Sequence, residues 1–292
     1  VTGAGRGIGR EICLNFAKEG AKVVVNDLGG DRDGTGGGKV ADEVVKEIKD
    51  LGGEASANYD TVGTVQGGQG IFQTCIDSFG AMDILVNNAG ILRDKTLYNM
   101  EESEWDGIME VHLKGHYNCT RPFVRYIRDD NRLNCRILNM SSVSGLFGNF
   151  GQTNYGAAKA GIAGFTRSLA LEVAKYKCTV NTISPGAATR LTIDLIEAAG
   201  RKYDENDWTQ GPEQIAPVVT WLCSDAADNV TSQIIHSQAG TLGIMQQPAV
   251  IKSFTTENLW TIEQLDALMP ELLEAKKHHD DEVSEKGAPE KV

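Results

Sequence analysis

No run of eighteen apolar residues occurs in the chain, so no segment has the length to cross a membrane as a helix. No basic, apolar leader ending in small residues is recognisable either. Cysteine is sparse and scattered: Cys13, Cys75, Cys119, Cys135, Cys178 and Cys223 form no C-x-x-C and no His-Cys cluster at ligand spacing, so buried reduced thiols are expected and no metal. Positive charge is in deficit. The 28 Lys and Arg face 40 Asp and Glu, a formal charge of -12 that disfavours nonspecific binding to nucleic acid or anionic lipid. These absences predict a cytoplasmic protein with no nucleic-acid and no membrane partner.

What is present is an alternation of strands and helices. Lys22 to Asp27, Glu54 to Asp60, Asp83 to Asn87, Arg136 to Met140, Cys178 to Ser184 and Gln233 to Ser237 read as short strands. Helical patterns fill the intervals: Gly7 to Glu19, Lys39 to Leu51 (Val40, Val44, Ile48 and Leu51 on one face, Gly52 as stop), Val65 to Phe79, Ser103 to Arg128, Thr153 to Tyr176 and Pro212 to Ser224. Alternation of this kind predicts right-handed crossovers and a doubly wound α/β fold with a parallel sheet. Val1 stands directly before a glycine turn, where such a fold needs an opening strand, so the first strand is expected to be largely missing from this sequence. One domain is expected over 1-245. An extension over 246-292 follows, with one helix opened by the capping box Thr261 to Gln264, striped by Leu265, Leu268, Met269, Leu272 and Leu273, and closed by a charged tail.

The stretch from Asn26 to Val40, "NDLGGDRDGTGGGKV", ends in Gly-Lys but fails as a P-loop, because Asp33 stands where the first glycine belongs and Val40 where the hydroxyl belongs. The better phosphate site is T-G-A-G-R-G-I-G at residues 2-9. Gly3, Gly7 and Gly9 allow a tight turn and close approach of a pyrophosphate to the backbone, with Arg6 and Ile8 between them and a helix N-terminus behind. Asp27 closes the next strand, where a carboxylate hydrogen-bonds the adenine ribose hydroxyls and would repel the extra phosphate of NADP. NAD is therefore the expected cofactor, with Arg6 as the competing signal. The glycine-rich stretch becomes a flexible rim of that site.

Tyr155 and Lys159 are four residues apart on a helical segment and share one face. A nearby ammonium favours the phenolate, and Ser142 at a strand end can hold a substrate oxygen. By itself Y-x-x-x-K occurs constantly in ordinary helices.

The glycine turn, Asn87-Asn88-Ala89-Gly90, Ser142, Tyr155-x-x-x-Lys159 and Ser184-Pro185-Gly186, taken in order, resemble the short-chain dehydrogenase/reductase family. The resemblance implies a Rossmann fold binding NAD or NADP. It implies Tyr155 as general acid and base, Lys159 on the nicotinamide ribose lowering the tyrosine pKa, Ser142 polarising the carbonyl, and Asn88, Ala89 and Gly90 lining the adenine side. Where the family carries a relay asparagine this chain has His112, which can also relay protons and titrates near neutrality. "VVVNDLGGDRDG", "NNAGILRDK", "EVHLKGHY" and "GNFGQTNY" are similar to the (3R)-hydroxyacyl-CoA dehydrogenase domain of the peroxisomal multifunctional β-oxidation enzyme type 2 and its stand-alone bacterial relatives. That likeness implies an acyl-CoA substrate, Asp60 and Thr61 near the adenine, and Pro185, Gly186 and Thr189 beside the nicotinamide side of the cofactor. Arg93, Lys95 and Arg190 could meet CoA phosphates. Relatives of this kind pair as homodimers or homotetramers through the long helical segments. The final residues "PEKV" are not a peroxisomal address, so a free-standing enzyme is expected. A hydroxysteroid or other secondary-alcohol dehydrogenase, an acyl-carrier-protein-linked reductase and a non-enzymatic NAD sensor stay open as alternatives.

Overall fold

The structure, a computed structural model, describes residues 1-31, 33, 38-189, 193, 200, 202-204 and 206-286, with the side chains of 284-286 excepted. The elements that frame the site are α1 (Gly7–Lys18), β1 (Val23–Asn26), α2 (Val40–Asp50), β2 (Ala55–Asn58), α3 (Val65–Phe79) and β3 (Ile84–Asn87). They continue with α4 (Glu102–Ile108), α5 (Gly115–Asp129), β4 (Arg136–Met140), α6 (Val143–Phe147), α7 (Thr153–Val173), β5 (Thr179–Gly186), α8 (Ala216–Leu222), β6 (Ile234–Gln238) and β7 (Thr241–Ile244).

β1 pairs in parallel with β2, and β3, β4, β5 and β6 form a second parallel set in that order. Residues 1-4 lie between the two. The Asn26 N–H donates to the Val1 carbonyl (3.1 Å), the Ala4 N–H to the Asn26 carbonyl (2.9 Å) and the Thr2 N–H to the Val86 carbonyl (3.0 Å). Successive strand residues face opposite sides. Val25, Val86, Leu138 and Ile183 pack with Ile12, Phe16, Val44, Ile48 and Val219, whereas Leu85, Ile137 and Val180 pack with Phe123, Ile127, Leu169 and Val173. Helices α1, α2 and α8 thus cover one face and α3, α5 and α7 the other, which is the doubly wound arrangement that the alternation predicts.

Four details depart from the sequence reading. β7 joins the edge antiparallel to β6 through a turn with Ala239 and Gly240 at positive φ, a hairpin too short to show in the hydrophobic pattern. The single helix expected over Ser103 to Arg128 is divided by a wide π-type turn at Met109–Lys114. Short α6 follows directly on Ser142. Leu51 lies outside α2 and is exposed, while Gly52, at φ 84°, does end that helix.

Val1–Ile244 forms one compact unit and Met245–Val292 a second. In the second, helix α9 (Ile262–Lys286) starts with the reciprocal cap read from the sequence. The Gln264 N–H donates to Thr261 Oγ1 (3.2 Å) and the Thr261 N–H to Gln264 Oε1 (3.0 Å).

Candidate active site

At the C-terminal edge of the parallel strands lies a cleft of about 700 Å³. Its first half is built from backbone. Gly3 and Gly7 have φ of 61° and 54°, a region that favours glycine. A methyl group at Gly3 would stand 2.6 Å from Ala89 Cα, and one at Gly9 would collide with the Gly3 carbonyl oxygen. The Asn88 amide donates to the carbonyls of Thr2 and Gly3 (both 2.9 Å), and Thr2 Oγ1 accepts from the N–H groups of Asn88 (3.0 Å) and Ala89 (3.1 Å). Asn88 and Ala89 therefore lock the glycine turn while lining the cleft.

Arg6 stands at the N-cap of α1 without capping it, and no acid occupies the first turn, so the free amide groups there suit an anion. Asp27 Oδ2 accepts from the Gly5 N–H (2.8 Å) and Oδ1 from the Gly29 N–H (2.7 Å). These bonds fix the carboxylate at the cleft wall. Asp60 and Thr61 continue that wall, with the Asp60 carbonyl tied to the Asn26 amide (2.8 Å). A turn that only glycine can form, an uncapped helix end and a fixed acid one strand away fit a dinucleotide.

The other half is built from side chains. Buried Asn154 fixes the start of α7: its Oδ1 accepts from the Tyr155 N–H (2.7 Å) and its Nδ2 donates to the carbonyls of Arg93 (3.0 Å) and Glu104 (3.2 Å). Tyr155 and Lys159 then share the cleft wall, with Lys159 Nζ 5.4 Å from the Tyr155 ring centroid. The ammonium donates to the Met140 carbonyl (2.6 Å). Ser142 Oγ accepts from the Ser144 N–H (3.2 Å), capping α6, and also hydrogen-bonds Tyr155.

Burial pushes the Tyr155 phenol up to about 12; the bond to Ser142 opposes this and the charge of Asp94 adds to it. Burial also lowers Lys159 to about 7. The tyrosine expected to be lowered by an ammonium is raised instead, because desolvation outweighs its partners and depresses the lysine as well. His112, expected to titrate near neutrality, is held well below its usual value by burial and by Lys159. It sits in the π-type turn, Nε2 against the Ile91 carbonyl (2.8 Å), and meets the Tyr155 ring edge-on at 5.1 Å. Gly90 leaves room for it: a methyl there would lie 2.6 Å from His112 Cε1.

Gly3, Arg6, Gly7, Ile8, Gly9, Asp27, Asp60, Thr61, Asn88, Ala89, Gly90, His112, Tyr155, Lys159, Pro185 and Thr189 all line this cleft. Ser142 and Gly186 stand just behind the lining, Gly186 against Gln238 at the end of β5. The bases expected for CoA phosphates are already engaged. Lys95 pairs with Glu104 (2.6 Å), and Arg93 donates to the carbonyls of Asp33 (3.0 and 2.9 Å) and Ser103 (2.9 Å), while Arg190 lies outside the described residues. Arg93 thus ties the glycine-rich loop to the segment after β3. Sequence reading missed this tie, and it missed His116, one turn after His112, whose i, i+4 spacing was the available signal.

A family model described as short chain dehydrogenase matches residues 1–198. The chain belongs to the short-chain dehydrogenase family. It is 49% identical over 237 residues to a short-chain type dehydrogenase/reductase of Mycobacterium tuberculosis, covering 80% of each chain. It is 45% identical over 249 residues to the peroxisomal multifunctional enzyme type 2 of Mus musculus, covering 83% of this chain and 32% of that one, so it spans about a third of that relative. A crystal structure of a short chain dehydrogenase from Mycobacterium avium superimposes with a TM-score of 0.83 at 40% identity, covering 94% of both chains. As a member of this family, the protein is an oxidoreductase that acts on CH–OH donors with a nicotinamide cofactor. Among the described residues no cluster of His, Cys, Asp and Glu could hold a metal, and no helix is long and apolar enough to cross a membrane.

Proposed function

We propose that the chain oxidises (3R)-hydroxyacyl-CoA thioesters to 3-ketoacyl-CoA with NAD. The observation that carries this reading is that one cleft holds both Tyr155 and Lys159 at one end and the fixed carboxylate of Asp27 at the other. A 2′-phosphate on the ribose would bring its charge against that acid, which favours NAD. Glycines 3, 7 and 9 and the start of α1 would hold the pyrophosphate, Asp27 the adenine ribose, and Lys159 the nicotinamide ribose. Nicotinamide, when bound, supplies the hydride acceptor.

The protein's own part is proton transfer. Tyr155 takes the hydroxyl proton as the C–H bond breaks, and Ser142 holds the same oxygen. Because burial raises Tyr155 to about 12, the phenol is protonated at neutral pH. Oxidation, which needs the phenolate, should therefore gain rate as pH rises above neutrality, while ketone reduction, which needs the phenol, should not.

The likeness to the multifunctional enzyme supports the acyl-CoA choice. The engagement of Arg93 and Lys95 favours a second reading, an apolar secondary alcohol such as a hydroxysteroid, as do the exposed rings of Phe147 and Phe150 after Ser142. Pairing of two copies through α5 and α7 is proposed as well, with exposed Tyr117 and Leu171 on those helices as its support. We assign the enzyme to the cytoplasm. NADH formation with (3R)- and (3S)-hydroxyacyl-CoA and a hydroxysteroid, each with NAD or NADP, tests the reading. Turnover confined to the (3R) ester with NAD is expected. Silence on both esters with turnover of the steroid would overturn the substrate and keep the chemistry.

A further inference from the structure

The elements that carry the reacting side chains meet at one corner. Ser142 follows β4 and caps α6, while Tyr155 and Lys159 sit on α7. The link between the two helices buries no large apolar side chain, Phe147 and Phe150 both being exposed. The packing that sets their spacing lies where the elements touch.

Contacts from this corner converge on one residue of α7. The Met140 carbonyl accepts from the Lys159 ammonium (2.6 Å). Buried Ser141 donates from Oγ to the Lys159 carbonyl (2.8 Å), and its own N–H is held by the Ile183 carbonyl of β5 (2.8 Å). A helix carbonyl keeps a second lone pair after its i+4 bond, so this donor adds a tie and displaces none. Gly145 lies against the same residue: a methyl there would stand 2.6 Å from Lys159 Cβ and from the Ala160 nitrogen. Gly145 has no positive φ, so space and not backbone conformation demands glycine at this position. The demand fades along α7, where a methyl at Gly156 would lie 3.2 Å from the Ser144 carbonyl oxygen and one at Gly164 would meet nothing within 4 Å.

Ser142 moves with α6, because its Oγ accepts from the Ser144 N–H at the start of that helix. Tyr155 moves with Lys159, one turn away on α7. We infer that Ser141 and Gly145 are positioning residues of the reaction: they seat the corner of β4 and α6 on the Lys159 turn and so set the spacing of Ser142 from Tyr155. The inference rests on the catalytic reading above. A change of about 1 Å in that spacing would misplace the hydroxyl that holds the substrate oxygen, at a cost of about 10²-fold in rate.

Three variants separate this role from a structural one. Ser141→Ala removes the tie without adding bulk, Gly145→Ala adds one methyl at the contact, and Gly164→Ala adds the same methyl to open space on α7. Each is made alone and together with Ser142→Ala, and kcat is read for the secondary alcohol that the wild type oxidises, with NAD affinity beside it. Gly145→Ala should lower kcat by about 10²-fold and Ser141→Ala by about tenfold, with NAD affinity within about twofold of wild type. In the Ser142→Ala background both losses should shrink below about twofold, because the group they place is gone. Gly164→Ala should match wild type. Losses of the same size with and without Ser142, or an unchanged kcat in Ser141→Ala and Gly145→Ala, would overturn the role. Ser141→Ala decides if Gly145→Ala fails to fold. If the wild type oxidises no secondary alcohol, the functional reading falls alone, and NMR of the Tyr155 phenol carbon in the protein without cofactor still decides on the corner. Ser141→Ala and Gly145→Ala should shift that resonance toward its position in Ser142→Ala, and a resonance left at the wild-type position would overturn the inference.

Discussion

The two halves of the cleft are made in opposite ways. At the glycine turn the site is backbone: amide groups, positive-φ glycines and one carboxylate fixed by two N–H donors. At the start of α7 it is side chain: a raised phenol, a lowered ammonium and two buried imidazoles. The first half excludes bulk, so its residues are defined by what they lack. The second half excludes water, so its residues are defined by charge states that only burial creates. Damage to the first half should remove binding, and damage to the second should remove chemistry.

The largest effect expected is on turnover. Tyr155→Phe should lower kcat by about 10³-fold in steady-state oxidation, the usual worth of a positioned acid and base. Next comes Gly9→Val, which drives a side chain into the Gly3 carbonyl and the Asn88 amide. At an overpacking cost of about 1–3 kcal/mol it should weaken NAD binding by roughly tenfold or more in a fluorescence titration. Asp27→Asn keeps the shape and removes the charge, and should shift the NAD to NADP ratio of kcat/KM toward NADP by about tenfold. The smallest effect crosses from chemistry to stability. Lys159 is lowered to about 7 in the fold against an ordinary 10.5, so the unfolded chain binds more protons between those values and stability rises with pH across that window. Below pH 7 the fold must hold a buried charge. Lys159→Met should therefore stabilise the protein by on the order of 1 kcal/mol at pH 6, and the gain should shrink toward pH 10 in denaturant titrations.

The same contrast explains what could be read from the sequence. Gly3, Gly7, Gly9 and Asp27 were legible because a backbone constraint admits few residues and fixes their spacing. The strand and helix order was legible from hydrophobic period, including Val65–Phe79 and Arg136–Met140 to the residue. The pKa of Tyr155 was not, since a sequence shows the neighbouring ammonium and hides the desolvation that outweighs it. The π-type turn was hidden too: it carries His112 to the Ile91 backbone 21 residues away, a tertiary contact with no local signal. The partners that engage Arg93 and Lys95 were hidden for the same reason, because Asp33, Ser103 and Glu104 come from other segments.

NAD binding measured side by side for Tyr155→Phe and Gly9→Val tests the division of the cleft most directly. The account predicts that Tyr155→Phe binds NAD within about twofold of wild type while losing turnover, and that Gly9→Val loses NAD affinity. A Tyr155→Phe protein that loses NAD binding as Gly9→Val does, or that binds NAD and still turns over at the wild-type rate, would contradict it.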